Sequence, residues 1–143
     1  MIIFWKTNFT KTSRRLAIYS LEHLQFLIVD SLEDVKGQNI LVFDTSHKGS
    51  LFDRVIIASG ISNRQTRALA HSVVKNLKKK LGLKCRIEGE DNAEWVLVDC
   101  GDIVCHVMQP IIRDYYKLEE IWGDFEIPIE SVKKFNQKIR KNN

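Results

Sequence analysis

EWVLVDCGDIVCHVM, Glu94 to Met108, is the stretch on which the fold turns. Gly101-Asp102 separates two runs rich in apolar and β-branched residues. Gly followed by Asp signals a two-residue hairpin, because Gly readily adopts the positive φ such turns need. The pattern predicts antiparallel strands in which Cys100 pairs with Ile103, Val98 faces Cys105, Leu97 faces His106 and Val96 faces Val107. Side chains alternate across a strand. One face is then Val96, Val98, Cys100, Ile103, Cys105 and Val107, a core face. The other carries Trp95, Leu97, Asp99, Val104, His106 and Met108, a mixture that needs an explanation.

Working upstream, Leu24, Ile28, Leu32 and Val35 recur at helical spacing from about Ser20, with Gly37 as the stop. NILVFDT (Asn39–Thr45) and RVIIAS (Arg54–Ser59) read as strands. Ser62 and Gln65 form an S-x-x-Q capping box that opens a helix over Asn63–Leu81. Its apolar stripe is Leu69, Val73, Leu77 and Leu81, and Gly82 ends it. A strand follows around Lys84–Glu88, then the hairpin. After Pro110 a final amphipathic helix is expected, with Ile111, Tyr115, Leu118 and Trp122 on one stripe and Gly123 beyond it. Strands separated by a long helix favour parallel pairing, whereas the hairpin is antiparallel. The expected fold is therefore α/β: one domain with a mixed, roughly five-stranded sheet and helices on its apolar face.

A chain of 143 residues is most simply one domain, large enough to fold without disulfides or metal. No apolar run approaches the roughly 20 residues needed to span a bilayer. Residues 1–20 read as a basic extension, or alternatively as a mitochondrial-type leader. Residues 124–143 read as a loosely attached basic tail. The core domain is placed at residues 21–123. Three cysteines in or beside strands read as buried reduced thiols. Adjacent Cys105 and His106 point to opposite faces and cannot share a metal, so no metal or cofactor is expected.

Charge falls in blocks. Residues 54–87 carry nine basic residues and no acid, residues 88–130 carry twelve acids against Arg113 and Lys117, and residues 131–143 carry five basic residues and no acid. Such blocks fit a surface that steers toward a charged partner such as a nucleoprotein, or a solvated surface that happens to cluster. The polar side of the long helix (Arg64, Arg67, Lys75, Lys78, Lys79, Lys80) could meet phosphates. No aromatic lies among those charges, so RNA contact is a secondary expectation.

Enzyme readings find little support. HKGSLFDRV (His47–Val55) has the Gly-Ser and acid of a nucleotidyltransferase, but Val55 stands where the second metal-binding carboxylate of a D-x-D pair is needed. Asp99 and His106 are diagonal neighbours with no nucleophile on their face. The mixed face is better read as a protein-binding surface, with Trp95, Leu97, Val104 and Met108 as an apolar patch and Asp99 and His106 as polar anchors. The alternative is that the chain covers this face itself.

DRVIIASGISNRQTRALAHSVV (Asp53–Val74), IEGEDNAEWVLVDCGDIVCHVM (Ile87–Met108) and RDYYKLEEIW (Arg113–Trp122) together resemble the ribosomal silencing factor family, also called Iojap or RsfS. Their order and spacing make the match specific, over about Leu24 to Gly123. The resemblance implies a domain similar to the nucleotidyltransferase fold without its catalytic carboxylates. It implies a non-enzymatic translation repressor that binds the fourteenth protein of the large ribosomal subunit and sterically blocks joining of the small one when nutrients are scarce. Its alternative is a large-subunit assembly factor. It carries family positions onto Trp95, Asp99, Gly101, Asp102 and His106, and onto Arg113, Tyr116, Leu118, Glu119 and Trp122. The expected partner-binding set is Trp95, Leu97, Asp99, Val104, His106, Met108, Tyr116 and Glu119. A homodimer is compatible with the family. A bacterial cytoplasmic setting is expected, or a mitochondrial one if residues 1–20 are a leader. Cys100 and Cys105 depart from the family, which usually has aliphatic residues there.

Overall fold

A computed structural model of the chain describes residues 19–142; residues 1–18, most of the basic extension, lie outside that range. Chain order begins with α1 (Leu21–Asp34), β1 (Gln38–Asp44), β2 (Arg54–Ser59) and α2 (Asn63–Leu81). It continues with β3 (Arg86–Glu88), β4 (Trp95–Asp99), β5 (Ile103–Met108), α3 (Pro110–Tyr116), β6 (Glu126–Ile127) and α4 (Ile129–Asn142). Capping chemistry sets the helix starts. Ser20 Oγ accepts the amide of His23, and Ser62 Oγ that of Gln65. Gln65 Oε1 reaches one residue further back than the usual box and accepts the amide of Ile61. Its amide nitrogen donates to the carbonyls of Val35 and Lys36, tying the two helix-bearing loops together.

The six strands form one sheet in the order β3-β4-β5-β2-β1-β6. Only β2 and β5 run parallel; the other pairs are antiparallel. The hairpin register is the expected one: Val98 faces Cys105, Leu97 faces His106 and Val96 faces Val107. The Cys100 amide donates to the Ile103 carbonyl across a turn in which Gly101 has φ +88°. The parallel pair is central because the α2 crossover carries the chain out to the edge strand β3, and the antiparallel β3–β4–β5 run then steps back until β5 lies beside β2.

Alternation along the strands divides the interior in two. One face sends Val42, Ile56, Ala58, Val96, Val98, Ile103, Cys105 and Val107 against α1 and α2. Gly60 makes that packing close: a Cβ there would lie 2.6 Å from Thr66 Oγ1. The other face sends Phe43, Val55, Ile57, Leu97, Val104 and Met108 into a second core, joined by Phe52. The Thr45 hydroxyl donates to the Phe52 carbonyl (2.6 Å) and holds the β1–β2 loop so that Phe52 reaches this core.

The mixed α/β sheet is the expected one, with one strand more than the rough count, and two further expectations are corrected. The sheet has six strands, because Glu126–Ile127 pairs with Val42 and Phe43 of β1. The segment after Gly123 is no loose tail. It supplies β6 and α4, whose Val132 is buried, whose Phe135 ring lies 5.2 Å from that of His23, and whose Lys133 pairs with Glu33 at 2.6 Å. The helix after Pro110 stops at Tyr116, because Lys117 is left-handed (φ 48°) and its amide caps the Arg113 carbonyl. Ile111 and Tyr115 therefore do not share a buried stripe with Leu118 and Trp122.

Candidate functional site: the outer cap of the hairpin

The second face of the hairpin is covered by this chain itself. From the left-handed Lys117 the chain turns back through two short 3₁₀ segments, Leu118–Ile121 and Gly123–Phe125. Leu118 and Trp122 thereby pack on the second core with Ile112 and Trp95, and the Trp122 ring lies 6.0 Å from Phe43. Leu97, Asp99, Val104, His106 and Met108 are all buried. The expectation of an open patch at these five positions is thus corrected. A sheet with few helices can still be covered by turns, provided those turns carry apolar side chains.

Each of the polar residues on that face has an internal task. Asp99 Oδ1 accepts the Gly101 amide (2.9 Å) and locks the hairpin turn. His106 Nδ1 accepts the Trp95 indole N–H (3.0 Å), so the neutral ring carries its proton on Nε2. Burial pushes the His106 pKa down to about 4, which keeps the imidazole uncharged near neutral pH. Glu119 is half-buried and accepts from Arg113 Nε at 3.0 Å, while Arg113 Nη1 donates to Ser59 Oγ at 2.8 Å. Arg113 is a buried strut that ties α3 and the returning turn to the end of β2.

What this scaffold presents outward is a set of large apolar side chains on α3 and the turn that follows it. Ile111 is 82% exposed, Tyr115 79%, Ile121 57% and Tyr116 52%. Tyr115 and Tyr116 meet edge to face at 5.0 Å, and Tyr116 lies 4.9 Å from the half-buried Trp95 ring. Acids stand among them: Asp114, Glu120 and Asp124 are exposed. Pro110 at the first helical position and the Gln109 amide, which donates to the Ala93 carbonyl (3.1 Å), fix where α3 begins. Of the residues expected from sequence, Trp95 and Tyr116 reach this surface, and Glu119 lies at its edge. Ile111, Tyr115 and Ile121 belong to it and were missed as contact residues. The signal available was an apolar and aromatic run (PIIRDYY) with more large side chains than seven helical residues can bury.

The rest of the surface offers less. On α2, Arg67 is occupied by the carbonyls of Glu90 and Asp91, at 2.9 and 2.8 Å, while Lys75, Lys78, Lys79 and Lys80 are exposed or at the rim of the core. Among the described residues no group of three or more His, Cys, Asp or Glu is arranged to hold a metal ion. None of the described helices is long and apolar enough to cross a membrane.

Residues 19–143 match the profile of the family described as "Ribosomal silencing factor during starvation". The chain belongs to the ribosomal silencing factor family. It is 48% identical over 103 residues to the Ribosomal silencing factor RsfS of Chromobacterium violaceum, covering 72% of this chain and 84% of that protein. A crystal structure of a protein from the same organism, at 48% identity, superposes with a TM-score of 0.71 over 73% of this chain and 88% of that one. The mouse protein named Mitochondrial assembly of ribosomal large subunit protein 1 is 35% identical over 102 residues, 67% of this chain and 43% of the mouse protein. The silencing-factor match runs through β6 and α4.

Proposed function

We propose that this silencing factor binds the large ribosomal subunit through its fourteenth protein and blocks docking of the small subunit by occupying the joining surface. Translation then falls when nutrients are limiting, in the cytoplasm of a bacterial cell. The observation that carries the reading is the exposed set of Ile111, Tyr115, Tyr116 and Ile121 on a domain of this family. A monomeric protein has no internal use for such a set, and aromatic anchors are enriched in interface cores. The acids around it suit a basic ribosomal protein. Trp95 and Tyr116 are assigned direct contact and Glu119 a place at the rim. Leu97, Asp99, Val104, His106 and Met108 act from beneath, by holding the cap in shape.

The mechanism is steric and requires no reaction. In support, Val55 is buried in the second core at the position where nucleotide transfer would need a second carboxylate after Asp53. Ribosomal RNA is a secondary contact through the lysines of α2. A homodimer formed through the same apolar cap would compete with ribosome binding.

The test is sedimentation of purified vacant subunits, with and without the protein, in gradients that permit joining. Co-migration with large subunits and fewer joined ribosomes is expected, and both effects are lost in Tyr115→Ala. Normal joining without co-migration overturns the reading. The mouse relative's name favours a second reading, assembly of the large subunit through the same contact. Under that reading, depletion leaves immature large subunits rather than mature ones that join too readily.

A further inference from the structure

Toward the β3 edge of the sheet three free thiols gather: Cys85, Cys100 and Cys105. All three line the first core. The β3–β4 register pairs Ile87 with Val98 and Arg86 with Asp99; one step further sets Cys85 directly across from Cys100. Residues opposite each other in an antiparallel pair have Cα atoms about 4.5 or 5.5 Å apart. A disulfide accepts roughly 4.4–6.8 Å. The Cys100 thiol donates weakly to the Val98 carbonyl (3.9 Å), and Cys85 lies close enough to it to raise its pKa. Cys105 sits on the far side of β4, opposite Val98, and is paired with neither.

Access to this pair runs through Cys85. It is 8% exposed, whereas Cys100 and Cys105 are fully buried. It lies in an open pocket of about 500 Å³ whose other lining residues are Val74, Lys75, Lys78, Lys79 and Lys84. The pocket is apolar at its base and cationic at its rim, which suits a small anion with an uncharged reactive centre. A thiolate is the attacking species in disulfide exchange. Burial pushes the Cys105 thiol up to about 12 and raises Cys100 well above the usual thiol range. Neither buried thiol is therefore the point of entry.

We propose that Cys85 and Cys100 are a redox-modifiable pair, oxidised to an intrachain disulfide by an anionic low-molecular-weight disulfide that enters the lysine-rimmed pocket. With oxidised glutathione as the probe, the Cys85 thiolate attacks one sulfur, the probe's S–S bond breaks and one glutathione thiolate leaves. The Cys100 sulfur gives its proton to solvent, attacks the Cys85 sulfur and expels the second glutathione thiolate. The two protein thiols lose two protons and two electrons, and the probe takes them up as two molecules of thiol. Deprotonation of the buried Cys100 makes the second step the slower one. β3, the outermost strand at that edge, is then fastened covalently to the end of β4.

The test is incubation of the folded full chain with oxidised glutathione, followed by intact mass, thiol counting and non-reducing peptide mapping. A glutathionylated species should form first and give way to a chain that has lost two hydrogens and keeps one of its three free thiols, with Cys85 and Cys100 in one linked peptide. Cys105→Ser should behave as wild type apart from the missing thiol. Cys100→Ser should stop at a single glutathionyl group on Cys85, and Cys85→Ser should stay unmodified. The wild-type linkage needs no variant, so a misfolded substitution leaves the proposal testable. Three intact thiols in a folded chain whose denatured form reacts, a bridge that includes Cys105, or a mixed disulfide that never resolves would each overturn it.

Discussion

Leu97→Ala and Tyr115→Ala form a contrasting pair that separates the face beneath the cap from the cap itself. Leu97 is fully buried in the second core, between strands β3 and β5 and below the cap formed by Leu118 and Trp122. Leu→Ala at such sites costs about 2–5 kcal/mol, the higher values applying where neighbours cannot close the gap. His106, directly across from Leu97 and held by the Trp95 indole, limits that closure, so about 3 kcal/mol is expected. For a chain of this length that lowers the melting temperature by roughly 10 °C. Tyr115 is 79% exposed, so its loss should change stability by no more than about 0.5 kcal/mol. As an interface anchor it should nevertheless cost at least about 1.4 kcal/mol of affinity for the large subunit, a tenfold weakening. Urea unfolding of both variants and equilibrium binding to purified large subunits supply the four numbers. The reasoning fails if Leu97→Ala keeps wild-type stability but loses subunit binding, while Tyr115→Ala binds normally. That outcome would mean that the cap opens and that the inner face is the interface.

Arg113→Ala should destabilise by about 2 kcal/mol in chemical denaturation, less than the 3–5 kcal/mol of a fully buried pair because Glu119 is 27% exposed. Arg113→Lys, which keeps the charge but not the forked geometry, should recover only part of this. The His106 pKa is lowered on folding, so the unfolded chain binds the extra proton first. This contribution is complete above about pH 6.5 and drains away as pH falls toward 4, roughly 2 kcal/mol being lost by pH 5. His106→Gln should flatten that part of the stability–pH curve, and an unchanged slope would count against a buried neutral imidazole. Ser62→Ala removes the acceptor for the Gln65 amide and should cost about 1 kcal/mol, read as a lower midpoint in thermal unfolding.

The hairpin, the capping box and the sheet-facing alternation were legible in the sequence because each rests on local chemistry. Gly101 admits one kind of turn, and that turn fixes every pair from Cys100–Ile103 back to Trp95–Met108. The end of α3 was not legible. Lys117 adopts a left-handed conformation that few non-glycine residues take, and the apolar spacing around it reads as one unbroken helix. Everything that depends on that break was misplaced with it: Ile111 and Tyr115 on the outside, Leu118 and Trp122 on the inside, and the mixed face beneath cover. β6 is two residues long, too short for any periodicity to register. The acidic and apolar character of the cap was visible all along, as the charge block over residues 88–130 and the aromatics of RDYYKLEEIW.

The one parallel pairing also has a kinetic meaning. Arg54 lies opposite Ile103, about fifty residues away along the chain, whereas the β4–β5 hairpin and α2 need only near neighbours to form. Loop-closure entropy must be met before a distant pairing returns any contact energy, so local units assemble first and the β2–β5 seam closes late. Until it closes, two almost wholly apolar strand edges stand open to any other nascent chain. On the ribosome β5 emerges well after β2, and the interval between them is when the molecule is most exposed to misassociation.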